Sequence, residues 1–179
     1  MARLWAAGVF MKGRTFLLIG ALALICAQMV GQSNTRSTAD SVRGHYTAIH
    51  KRLLEMAKDF PADKYDFRLK PEMRSFGEVL VHVVSGEVYA AKAGKGEKVN
   101  WDELDPKNYK TKEAIVALME KATADSEGVM KGLSDDAFAK SVEPWLSVTE
   151  HSAEHYGLLV AYYRANGIVP PASRNQQGQ

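Results

Sequence analysis

Along four separate stretches of this chain, apolar residues recur at three- and four-residue steps, and no alternating strand pattern competes with them. That period puts such residues on one face of a helix, so each stretch has a stripe to bury. The first stretch runs from Ala39 to Lys58, where Val42, Tyr46, Ile49, Leu53 and Met56 share a face; Phe60 lies just beyond and Pro61 stops it. The second opens at Ser75, whose spacing to Glu78 is that of a capping box. Its stripe is Phe76, Val79, Leu80, Val83 and Val84, broadened by Val81 and Val88, which predicts a central helix ending near Gly94. A Gly- and Lys-rich connector follows, AGKGEKVNWDELDPKN, with a short turn expected at Trp101 to Leu104.

The third helix is predicted from Lys112 to Leu133, on Ile115, Leu118, Met119, Ala122, Val129, Met130 and Leu133. Ser134, Asp135 and Asp136 then open a short segment to Ala139. A fourth long helix is expected to begin near Ser147, where Glu150 again gives capping-box spacing, and to end at Asn166. Gly167 suits a left-handed closing residue, Ile168 can pack back, and Pro170 and Pro171 prevent continuation. These patterns predict an all-α fold, a four-helix bundle.

Ahead of the bundle, Lys12 and Arg14 precede an apolar run from Phe16 to Ala27, followed by small residues at Ala27 and Gly31. This is the layout of a secretory signal, too short for a comfortable membrane span. The expected organisation is a signal peptide at 1–27, a linker at 28–38, the bundle at 39–173 and a polar tail at 174–179. Cleavage after Gly31 and a start at Met11 are the competing choices; lipid attachment is disfavoured because Ile25 precedes Cys26. Localisation is therefore expected to be exported, periplasmic or extracellular, with no stable membrane span after cleavage.

Loss of residues 1–27 changes the electrostatics. The whole chain is +2, with 23 Lys and Arg against 21 Asp and Glu; the leader takes Arg3, Lys12 and Arg14 and no acid, leaving 20 against 21. No basic block is present to bind nucleic acid. The single Cys also leaves, which removes disulfides, thiolate nucleophiles and Cys-based metal sites from the mature chain.

Chemistry must then come from the five histidines. His151 and His155, four apart on a helix, lie about 40° apart and can reach one ion together. Val148, Leu158 and Tyr162 fall within about 60° of His151, so both rings point along the inward stripe. Buried neutral imidazoles need partners for every ring nitrogen, which is costly unless something binds them. A satisfied pair of core histidines is the alternative at this point. His82, at the border of the second stripe, is the candidate third ligand, and Glu78, one turn earlier, is a candidate to orient its ring, add an oxygen ligand or act as a base. His45 and His50 are expected at the surface or boundary.

The stretches RSFGEVLVHVVSGEVY around His82, HSAEHYGLLVAYYRANGIVPPAS from His151, and FPADKYDFRLKPEMRS from Phe60 together resemble the DinB/YfiT-like family of helical metalloenzymes, which is unrelated to the DNA polymerase that has shared the name. The likeness runs from about Ala39 to Ser173, and the middle connector is its least family-like part. It implies a four-helix bundle holding one divalent ion by a His of the second helix and an HxxxH pair of the last, here His82, His151 and His155. It also implies that Tyr156, Gly157, Tyr162, Arg164 and the Gly167 to Pro171 tail are mainly structural. Three imidazoles suit Zn, Ni, Fe or Mn alike and leave coordination positions open.

Among the family's activities are thiol S-transfer and isomerisation with a low-molecular-weight thiol. Export sets this chain apart, since such thiols are cytoplasmic. The expectation is a metal-dependent hydrolase or transferase acting on an unidentified small molecule. A non-catalytic exported helical binding or structural protein is the alternative. A homodimer is compatible with such a bundle, although no helix shows a second apolar stripe.

Overall fold

The computed structural model describes residues 36–174. The expected signal segment, residues 28–35 of the linker and residues 175–179 of the tail lie outside them. Among the described residues every regular element is helical, so the expected all-α class holds. No helix there is long and apolar enough to cross a membrane.

Helix α1 spans Thr38–Asp59, with the Ser37 hydroxyl accepting the Asp40 amide at 3.0 Å. At its other end Lys112 Nζ donates to the Phe60 carbonyl at 2.8 Å, beside Pro61. Helix α2 covers Phe76–Gly94 and opens on the predicted capping box: the Glu78 amide donates to Ser75 Oγ at 3.3 Å, and the Ser75 amide donates to Glu78 Oε2 at 2.7 Å. Helices α3 (Lys112–Gly132) and α4 (Asp135–Lys140) are capped by Thr111 and Ser134. Helix α5 is Val142–Ala165, and a last turn, α6, is Pro171–Arg174.

Two local expectations fail. Helix α5 starts at Val142 rather than near Ser147, so Ser147 and Glu150 lie inside it and form no capping box. Pro144 is no barrier there, because a first-turn residue has no intrahelical amide bond to lose, and the earlier start buries Trp145. The turn expected at Trp101 to Leu104 is instead a 3-10 turn at Pro106–Asn108, capped by the Asp105 side chain on the Lys107 amide at 2.9 Å. The other end of α5 closes as expected, with Gly167 at φ +70° and the Ile168 amide donating to the Tyr163 carbonyl at 2.9 Å.

Helix α2 packs on α3 and α5, and α1 packs on the same two, so α1 and α2 face each other across the bundle. The interior forms two apolar clusters. One is aromatic, built on Phe60 stacked on Phe76 at 3.8 Å between ring centres, with Tyr65, Tyr162 and Tyr163 around them. The other holds Tyr46, Ala90, Met130, Phe138, Trp145 and Val148. Between them in sequence, each long helix contributes buried polar side chains: His50, Ser85 with Glu87, Ser126 and Ser152.

Candidate metal centre

The apolar surface that makes α2 central also carries His82 to the α5 interface, where His151 and His155 project one turn apart. The three ring centres form a triangle of 4.8, 4.8 and 4.4 Å. One ligand atom from each ring lies within 4.8 Å of the other two, a cluster that can hold a metal ion. Nε2 of His82 and Nε2 of His151 are 2.9 Å apart. Two nitrogens bound tetrahedrally to one ion at about 2.1 Å stand about 3.4 Å apart, so only a small rotation of the rings separates the observed arrangement from a coordinated one.

The hydrogen-bond inventory fits that reading. Nδ1 of all three rings is buried with no hydrogen-bond partner of good geometry. Burial lowers the basicity of every ring. His151 falls to about 4, through burial first and then the neighbouring His155, His82 and Arg74. His155 is lowered by burial, His82 and Arg74, and His82 by burial and Arg74, with Glu103 offsetting part. All three are therefore neutral at pH 7, the form that ligates a cation.

Residues from outside the two helices complete the surroundings. Glu103 Oε1 lies 2.8 Å from His82 Nδ1. The Arg74 Nη2 meets both Glu103 oxygens at 3.3 Å. Trp101 sets its ring edge-on to His151 at 4.8 Å and stacks on Tyr89 at 5.2 Å. That approach needs a glycine one turn after His82, because a Cβ on Gly86 would stand 2.7 Å from Trp101 Cζ2.

The carboxylate at His82 is thus Glu103, whereas Glu78 has other partners. One of its oxygens receives the Ser75 amide and the other receives Arg68 at 2.7 Å. Burial alone would raise the Glu78 carboxyl, but the Ser75 amide and Arg68 outweigh it and hold the group below its usual range. Sequence reasoning missed Glu103, Trp101 and Arg74, which lie on connectors without periodicity; a glycine inside so apolar a helix was the available sign that something packs closely on α2.

His45 is exposed, as expected, but His50 is not at the boundary: it is 1 % exposed. Its Nδ1–H donates to the Tyr46 carbonyl at 2.8 Å, which leaves Nε2 to accept from Ser152 Oγ at 3.0 Å. A helix flanked by two neighbours buries a wider arc than its apolar stripe, and α5 supplies the hydroxyl that makes this tolerable.

The family described as the DinB superfamily matches residues 45–163, about two thirds of the chain and all three of these histidines. No curated protein matches the chain significantly.

Proposed function

Since this chain belongs to the DinB superfamily, we propose that it is an exported metalloprotein holding one divalent ion through His82, His151 and His155, and that it acts as a metal-dependent hydrolase or transferase on a small-molecule substrate. Convergence of three neutral imidazoles on one point, with Nε2 of His82 facing Nε2 of His151, carries this reading. When bound, such an ion supplies Lewis acidity to a water or a substrate oxygen, undiminished by ligand charge because all three ligands are neutral.

The chain's own residues do the rest. Glu103 restrains the His82 ring and Trp101 shields one side of His151. Glu78 fixes the start of the helix that carries His82, and it can serve as a base only by releasing Arg68. Export rests on the signal-like layout of residues 12–31.

One observation favours the second reading, a binding protein without turnover. Both oxygens of Glu78, and those of Glu103, already have partners, so neither of these carboxylates can move a proton without giving one up.

Untagged protein purified without added metal is expected to carry about one equivalent of a divalent ion by elemental analysis. His82→Ala is expected to reduce it to a small fraction. Retention of full occupancy by that variant would remove the proposed centre. Turnover is tested separately, with ester, amide and thiol-transfer substrates in the presence and absence of a chelator.

A further inference from the structure

Beside His155 lies a groove of about 490 Å³ whose apolar lining is Met73, Val79, Leu158 and Tyr162, with Arg74 and Glu72 as its charged residues. Arg74 is built into it. The Tyr162 hydroxyl donates to the Arg74 carbonyl, and the next residue, Ser75, is the cap of α2, so the backbone is fixed from both helices that carry the histidines. Its guanidinium is less committed. Its hydrogen bonds within the described residues both leave from Nη2, to Glu103 at 3.3 Å, so one N–H of Nη2 can meet that carboxylate while the other, with the N–H of a neighbouring nitrogen, makes up the second edge of the fork.

We propose that this groove is a substrate subsite for an apolar carboxylic acid, with the free edge of Arg74 gripping the carboxylate and the hydrocarbon part lying along Met73, Val79, Leu158 and Tyr162. The substrate class rests on the metal-centre reading above. A divalent ion on three neutral ligands, together with Arg74, outweighs the charge of Glu103 and favours an anion. The planar fork matches two carboxylate oxygens. Glu72 at the rim and Glu103 behind the guanidinium select a monoanion over a dianion such as phosphate. The volume, at the small end of ligand pockets, suits a compact molecule.

Titration calorimetry on the full chain, both zinc-loaded and metal-free, tests this with hexanoate, hexanamide and inorganic phosphate. Wild type is expected to bind hexanoate at least tenfold more tightly than hexanamide or phosphate. Arg74→Gln should weaken hexanoate at least tenfold, leave hexanamide unchanged and keep the zinc stoichiometry of wild type; Arg74→Lys should recover part of the loss. The inference is overturned if wild type does not distinguish hexanoate from hexanamide, if phosphate competes equally, or if Arg74→Gln binds hexanoate as wild type does. The metal-centre reading fails on a different result, absence of zinc binding by wild type, and the metal-free titrations then still decide whether Arg74 holds the carboxylate. Matching thermal transitions for the two variants and wild type separate a lost contact from a lost fold.

Discussion

Two groups of histidine occupy the same bundle and teach what separates a core residue from a ligand. His50 and His151 are both driven to about 4 by burial, so basicity does not tell them apart. Their hydrogen bonds do. His50 has a partner on each nitrogen, the Tyr46 carbonyl and the Ser152 hydroxyl. In the other group each Nδ1 lacks a good partner, and Nε2 of His82 faces Nε2 of His151. A buried imidazole with complete bonds is structural, whereas several incomplete ones converging mark a place for something else to bind.

The sharpest way to break this comparison is to delete one histidine from each group. His155→Ala is expected to cost more than the 10- to 100-fold in zinc affinity that an orienting partner is worth, with little change in metal-free stability. His50→Ala should do the reverse, keeping one equivalent of zinc while losing about 2–3 kcal/mol in urea unfolding from the cavity and the unpaired Ser152 hydroxyl. It should also flatten the acid limb of stability. The unfolded imidazole takes a proton below its ordinary 6.5 and the folded one only near 4, so the contribution of this group is fully present above 6.5 and about 3 kcal/mol of it is lost as pH falls to 4. If both variants lost zinc equally, the distinction drawn from hydrogen bonding would be wrong.

Glu87 gives the next largest effect and sharpens what a complete set of bonds means. It is fully buried; Thr123 Oγ1 donates to one oxygen at 3.0 Å and the other has no partner. Burial pushes its carboxyl up to about 8 from an ordinary 4.5. The folded chain therefore holds a proton that the unfolded chain has released at pH 7. Stability from this group is fully present below 4.5 and is lost as pH rises to 8. Glu87→Gln keeps the neutral shape without that proton, so it is expected to gain about 2 kcal/mol at pH 8 and nothing below pH 4.5. Urea unfolding across that range decides it; equal effects at both ends would show that Glu87 is ionised in the fold.

The helices were legible because their apolar periods, capping residues and the Gly167 stop are local properties of sequence. So were the three histidines, two of which share a helix face while the third sits in the most apolar stretch. The start of α5 was not legible, because Pro144 is compatible with both a break and a first turn, and burial of Trp145 chooses between them. Nor was the burial of His50, whose acceptable partner lies 102 residues away on another helix. Glu103 and Trp101 reach the centre through a connector whose path is set by tertiary contact with Gly86 and Tyr89 rather than by any repeat.

That connector supplies the smallest test. Trp101 touches His151 but ligates nothing, whereas Trp145 belongs to the apolar cluster around Tyr46, Phe138 and Met130. A paramagnetic ion at the three histidines should quench Trp101 far more than Trp145, because quenching falls steeply with distance. Titration with Ni²⁺ is expected to lower the tryptophan fluorescence of wild type saturably at one equivalent, and Trp101→Phe should abolish most of that response. Its Ni²⁺ affinity should fall by less than tenfold, since a neighbouring ring excludes water and restrains His151 without contributing a bond. Full quenching in Trp101→Phe would place the bound ion elsewhere, and a loss of affinity as large as that of His155→Ala would make the connector as necessary to the centre as the ligands themselves.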